Sequence, residues 1–200
     1  MLLRFSSVLW SALLLGSAAA APLQGLPSGT ILQSSHADLG MSWWLWAVTA
    51  PEGASPVEDL TGEHCAVNQE PGVWFLAGSY QNGTLVERRC SLPAQTPVFF
   101  PVMNIYAAGE TQRGCNAVLR QGKAGLDRLK NLRVTLDGQA VEGAARGRME
   151  ACTYLEEAEL WFGSDGWWMA LNLPTGAHTL AFSAEQPGFK QNLRYELSVR

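Results

Sequence analysis

Four cysteines, Cys65, Cys90, Cys115 and Cys152, follow an apolar N-terminal segment that ends in small residues, and this combination constrains the fold more than any other feature. Met1 to Arg4 carry one positive charge, Phe5 to Leu15 are mostly apolar, and Gly16 to Ala20 are small. That order is the grammar of a secretory signal peptide. The apolar core, roughly ten residues, is shorter than a bilayer-spanning helix requires. Residues 1–20 are therefore expected to be a signal peptide cleaved after Ala20; 200 − 20 leaves 180 residues. No cysteine stands directly after the apolar run, which argues against a lipid anchor. An exported chain meets an oxidising compartment, where an even cysteine count reads as disulfides.

Four cysteines admit three pairings, all open at this stage; the sequence-neighbour set, Cys65 with Cys90 and Cys115 with Cys152, is preferred. Closing loops of that size restricts the unfolded chain by about 3.5 and about 4 kcal/mol in the chain-entropy model. A zinc site is the rival, but the spacings contain no Cys-x-x-Cys knuckle. Disulfide bonding also removes the best nucleophiles and soft metal ligands, so neither a cofactor nor a metal is expected.

A hydrophobic share of 47% with eight tryptophans suffices for a packed core. The formal charge is −4, and losing Arg4 with the signal makes it −5. Glu87-Arg88-Arg89 and Arg128/Lys130/Arg133 are the densest basic groups, and both are mixed or sparse. Nucleic-acid binding needs a positive stripe and is excluded. Beyond residue 20 no apolar run approaches membrane-spanning length, so no membrane insertion is expected after cleavage.

Residues 21–41 read as an N-terminal arm and 42–200 as a single β-rich domain. Ser42 to Val48 is an aromatic stretch, followed by a polar Pro/Gly loop from Ala50 to His64. Val73 to Tyr80 and Thr84 to Cys90 read as strands joined at Asn82-Gly83, a hairpin signal that also matches a glycosylation sequon. Val98-Phe99-Phe100 is a third apolar run, limited by Pro97 and Pro101. Cys115 to Leu132 predicts a helix with Val118, Leu119, Leu126, Leu129 and Leu132 on one side, weakened by Gly122 and Gly125. Leu132 to Val141 predicts a hairpin turning at Asp137-Gly138. Further strands are expected at 160–162, 167–173, 178–183 and 193–199, with turns at Gly163-Ser-Asp-Gly166 and Pro174-Thr-Gly176. Leu193, Tyr195, Leu197 and Val199 alternate with polar residues, so one face is buried and one wet. The expected fold is mainly β: a disulfide-stapled β-sandwich with one helical excursion.

Several motifs run in a familiar order: Trp44-x-Trp46-Ala47, Asp59-x-Thr61-Gly62-x-x-Cys65, Gln69, Val73-Trp-Phe-Leu-Ala-Gly78, Cys90-x-x-Pro93 and Phe99-Phe-Pro-Val-x-Asn104. Val134-Thr-Leu-Asp-Gly138, Asp165-Gly166-Trp167 and Leu173-Pro-x-Gly-x-His178-Thr-Leu180 follow. Over residues 43–199 the chain resembles a group of secreted, mainly bacterial proteins of unknown function. The resemblance implies an address outside the cytoplasm and the same order of strands. It implies no activity, and Cys115 and Cys152 lie outside the shared pattern.

Strand alternation places Trp167, Met169, Leu171 and Leu173 on a core face and turns Trp168 away. The same rule groups Trp44, Trp46 and Val48 and opposes Trp43. Trp43 and Trp168 are thus candidate exposed platforms for a sugar ring or a protein interface. The competing reading buries this second face under the helix or the arm. Glu58 and Asp59, with Glu52, Glu63 and His64, are the candidate carboxylate cluster; glycosidic hydrolysis needs a pair about 5–10 Å apart. Asp59 ahead of Thr61-Gly62 can instead cap a turn, and Glu156, Glu157 and Glu159 read as solvated. His36, His64 and His178 show no ligand spacing, and no nucleophile elbow is present. No catalytic residue is assigned. The expected function is a non-catalytic periplasmic or secreted binding protein, an inhibitor or immunity-type protein acting on an exported protein. The alternative is carbohydrate binding through exposed tryptophans, with or without weak hydrolysis.

Overall fold

The computed structural model describes residues 21–200; the expected signal peptide falls on residues 1–20, outside them. The elements in chain order are β1 (Leu23–Gln24), α1 (His36–Val48), β2 (Trp74–Phe75), β3 (Val86–Leu92), β4 (Val98–Gly109) and α2 (Gln112–Leu126). Then come β5 (Lys130–Leu136), β6 (Gln139–Glu142), β7 (Ala145–Arg148), β8 (Thr153–Leu155), a 3-10 turn at Glu156–Ala158, β9 (Leu160–Leu171), β10 (Gly176–Gln186) and β11 (Phe189–Val199). A six-stranded sheet has the order β1-β6-β5-β10-β11-β3, and a second has β2-β4-β9-β7 with β8 also on β9. Both sheets are mixed: β1 is parallel to β6, β3 to β11 and β2 to β4. The protein is thus a mostly β, sandwich-like fold stapled by Cys65–Cys90 and Cys115–Cys152, the preferred pairing.

The core between the sheets follows from period two. In β11 Leu193, Tyr195, Leu197 and Val199 are buried and Arg194, Glu196 and Ser198 are exposed. They meet Val98, Phe100 and Val102 of β4 and Met169 and Leu171 of β9. The hairpin at Asp137-Gly138 forms as expected, with φ of 53° and 79° supplying the two left-handed residues of a type I′ turn. Pro101 lies where β4 shifts register against β9, a bulge position that tolerates its missing N–H.

Four local expectations differ. Residues 36–48 form a helix, so the aromatic stretch is not a strand and the arm drawn over 21–41 passes into α1 at His36. Ser35 caps it: its Oγ accepts the Asp38 N–H and the Asp38 carboxylate accepts the Ser35 N–H, each at 3.2 Å. Gly163-Ser-Asp-Gly166 is not a turn but the middle of the continuous strand β9. Its glycines serve close packing, since a Cβ at Gly163 would lie 2.9 Å from Leu119 and one at Gly166 2.8 Å from Trp168. Asn82-Gly83 does not join a hairpin, because β2 and β3 belong to different sheets. Instead Asn82 accepts from Lys190 N at 2.9 Å and donates to Gly188 O at 3.1 Å, which fastens the loop to the β10–β11 turn. Helix α2 is unbroken by Gly122, whose missing side chain admits Ile105, and it exposes Val118 while burying Cys115, Leu119 and Leu126.

Strand β9 is buried on both faces, and this overturns the expected exposure of Trp43 and Trp168, which are 1% and 0% exposed. Helix α1 covers the face of β4 and β9 that turns away from the other sheet, bringing Trp43, Trp44 and Trp46 against Phe99, Trp168 and Ala170. The Trp168 ring stacks on Phe99 at 5.1 Å and meets Trp43 edge-on at 5.7 Å. A Cβ at Gly40 of α1, Gly147 of β7 or Gly166 of β9 would lie 2.8 Å from the Trp168 indole. We expect Trp168→Ala to cost about 3–5 kcal/mol in urea unfolding through the cavity it leaves. Gly147→Ala should also lower the midpoint, since its methyl would sit 2.5 Å from the His36 carbonyl oxygen; an unchanged midpoint would refute the tight slot.

Candidate functional site

Asp59 is buried, and its side chain is consumed by the chain. Its oxygens accept Thr61 N at 2.8 Å, Thr61 Oγ1 at 3.0 Å, Gly62 N at 3.0 Å and His64 N at 2.9 Å. Burial pushes its carboxyl up, but these bonds outweigh burial and hold it below the ordinary 3.8. Asp59 is thus a turn-capping residue, while its neighbour Glu58 is exposed.

The Asp59 backbone meets a buried cation. Arg88 of β3 is 1% exposed. Its Nε donates to Asp59 O at 2.7 Å, Nη1 to Ala77 O and Gly78 O at 3.0 Å and to Tyr195 Oη at 2.6 Å, and Nη2 to Val57 O at 3.2 Å. The guanidinium fork is satisfied mainly by carbonyl oxygens, and it pins the 57–59 loop and the 77–78 segment to the six-stranded sheet. Burial raises the Tyr195 phenol in the same cluster, although Arg88 opposes the shift.

Above this clamp opens a cleft of about 310 Å³ lined by Trp44 of α1, Tyr80, Asn104 and Tyr106 of β4, and Gln186 and Phe189 of the β10–β11 hairpin, with Val57, Gly78 and Ser79 beside them. Trp44 is 3% exposed, whereas Tyr80 and Tyr106 are 55% and 44% exposed. The Trp44 and Tyr106 rings are tilted at 4.6 Å. Burial pushes the Tyr80 phenol up, and the Tyr106 and Glu58 charges add to the shift. Trp44 Nε1, Asn104 Nδ2 and Gln186 Oε1 are buried without a hydrogen-bond partner. All three residues line the cleft, and buried polar groups are normally paired. The volume and the aromatic lining with a few polar groups match a small binding site.

A larger groove of about 580 Å³ runs along α1 past Leu32, Leu45 and Trp46. Two of its polar side chains are already engaged: Trp46 Nε1 donates to Val67 O at 2.7 Å, and Gln69 bonds Cys65 O and both backbone groups of Phe75. Glu58 is exposed and does not line the cleft, and sequence reasoning missed Trp44, Tyr80, Asn104 and Tyr106, which only the sheet topology brings together. It also missed an ionic cluster in which the fully buried Asp165 receives Arg146 at 2.5 Å and Arg148 at 3.0 Å, with Asp127 bridging both arginines. Arg146-x-Arg148 at strand spacing was the available signal. Among the described residues no three His, Cys, Asp or Glu side chains gather as metal ligands, and no helix is long and apolar enough to cross a membrane.

His178 is held between two acceptors, Asp137 Oδ2 at 2.8 Å from Nδ1 and Pro174 O at 2.9 Å from Nε2. The Asp137 bond raises the imidazole above 6.5 against partial burial, and the same bond lowers Asp137 below 3.8. A raised histidine stabilises fully below its ordinary value and loses that contribution as pH rises through its folded value; the depressed carboxyl loses its share as pH falls below 3.8. The pair therefore acts between 3.8 and somewhat above 6.5. Burial lowers His36, which opposes folding in acid instead. In urea titrations, the advantage of wild type over His178→Asn should be largest below 6.5 and shrink above it; a gap independent of pH would show an uncharged His178. In comparisons with known proteins, the chain matches no family model and no curated protein.

Proposed function

We infer that the protein is a non-catalytic binding protein of the periplasm or extracellular space, whose ligand seats in the cleft between α1, β4 and the β10–β11 hairpin. The aromatic-lined cleft, with unpartnered polar atoms on three of its lining residues, carries this reading. The apolar N-terminal segment and the two disulfides support the address. The lining offers indole, phenol, hydroxyl and amide groups, which suit contact, and the one buried carboxylate nearby, Asp59, is committed to its turn. The favoured ligand is another exported protein, with the acidic balance of −4, or −5 once Arg4 is lost, adding long-range attraction to a basic one. A glycan is the second occupant, favoured by the half-exposed rings of Tyr80 and Tyr106. It does not rest on Trp43 or Trp168, which are core residues.

The test is paired capture from an exported-protein extract, using the protein and its Tyr80→Ala/Tyr106→Ala variant at low and moderate salt. Both side chains are half exposed, so the variant should keep its circular dichroism spectrum. A partner retained by the wild type and lost by the variant is the expected result. Partners retained equally by both would remove the cleft from the account.

A further inference from the structure

Strand β4 runs from Val98 to Gly109, but its neighbour β2 pairs with it only at Val98 and Phe99. The last bond on that edge is Leu76 N to Phe99 O at 3.1 Å. Gln191, 2% exposed, then separates the two chains. Its Oε1 accepts Ser79 N at 3.2 Å, and its Nε2 donates to Pro101 O at 3.2 Å and Val102 O at 2.7 Å. Gly78 makes room for it, since a Cβ there would lie 2.6 Å from that oxygen. Among the described residues β4 beyond Val102 has β9 on one edge and no strand on the other.

This open stretch, Met-Asn-Ile-Tyr-Ala-Ala-Gly from 103 to 109, holds no charge and no proline. Exposed sheet edges are normally guarded by charges, proline, bulges or covering loops. Two other edges follow that rule. Strand β7 carries Arg146 and Arg148, and β3 is covered where Arg89 N donates to Thr61 O at 2.8 Å. The unguarded edge opens into the cleft, where Asn104, Ile105 and Tyr106 form one wall.

We propose that the ligand is an uncharged, extended polypeptide segment that pairs with the free edge of β4 between Met103 and Gly109, in line with β2. The proposal rests on the cleft being the ligand site. Added strands bind through main-chain hydrogen bonds, with pockets for alternate side chains setting specificity. Asn104 and Tyr106 share a face with Trp44, so every second ligand residue meets the aromatic wall, and the neutral lining selects apolar or proline side chains there. Trp44 Nε1 and Asn104 Nδ2 are unused donors beside this path.

A phage-displayed random peptide library supplies the probe, and an enriched peptide is then synthesised for binding and hydrogen-exchange measurements. We expect uncharged, extended sequences, slowed exchange at backbone amides within 103–109, and a loss of about tenfold or more in affinity on Tyr106→Ala or Tyr80→Ala. N-methylation of the peptide backbone should abolish binding at alternate positions only. Binding without protection of β4, or with equal tolerance of every N-methyl group, overturns strand addition. No enriched peptide, or retention of neutral glycans alone, overturns the polypeptide class; if glycan retention needs Tyr80 and Tyr106, the cleft reading survives. Protection of β4 with full affinity in both tyrosine variants would instead keep strand pairing and discard the aromatic cleft.

Discussion

The slot around Trp168 is the constraint on which the arrangement depends. Its indole is enclosed by Gly40, Gly147 and Gly166 from three different elements, each too close to carry a side chain, and is stacked on Phe99. An aromatic ring packed this tightly leaves α1 one seat on the β4–β9–β7 sheet, because interiors are packed too densely to allow sliding. With α1 seated, Trp43 Nε1 reaches Leu76 O at 2.9 Å and fixes the chain just after β2. Trp44, the next residue, then stands against Tyr106 at the mouth of the cleft. A packing contact in the middle of the protein thus decides the position of an aromatic wall at its edge.

A polar counterpart acts from the other sheet. Arg88 occupies a buried position of β3, where the alternation of that strand would place an apolar residue. A buried cation is tolerated only when its donors are met. Here the fork collects carbonyls of Val57, Asp59, Ala77 and Gly78, and Tyr195 adds a second bond to Ala77 O at 2.8 Å. Two irregular segments with no ladder of their own are thereby held to a strand. Asp59 serves this arrangement twice: its side chain closes the loop, and its carbonyl takes Arg88 Nε. The loop that supplies Val57 to the cleft is therefore ordered from below.

Elements governed by local patterns were legible in the sequence. The alternation of β11, the Asp137-Gly138 turn and the helix near 115 follow from short-range chemistry, and the disulfides take the preferred one of three open pairings. Helix α1 was misread because Ser42 to Val48 is too short a window to separate period two from 3.6. Read from Ser35, the cap Ser35-x-x-Asp38 and the buried set His36, Leu39, Gly40, Trp43, Trp44 and Ala47 give helical spacing. Gly163 and Gly166 looked like turn residues, but their role is to admit Leu119 of α2 and the Trp168 indole, which folds back over Gly166 on the same strand. Asn82-Gly83 makes a turn, yet its partner is the β10–β11 hairpin rather than a flanking strand. The cleft was invisible for the same reason: Trp44, Tyr80, Tyr106 and Phe189 come from four separate segments.

The cleft is also the consequence of an imbalance in lengths. Strand β9 matches β4 along nearly its whole course, whereas β2 covers only two of its residues. The missing pairing is not an accident of a frayed end, because Gln191 is buried and fully engaged in holding Ser79 away from β4. A side chain that spends its hydrogen bonds on keeping two segments apart stabilises a gap rather than a contact. The surrounding fold supplies rigidity to that gap through Trp168 on one side and Arg88 on the other. Neither sheet alone would form it: the six-stranded sheet contributes Gln186, Phe189 and Gln191, the other contributes the open edge, and α1 closes the wall. The sandwich, its helix and its buried cation thus converge on one unpaired stretch of backbone.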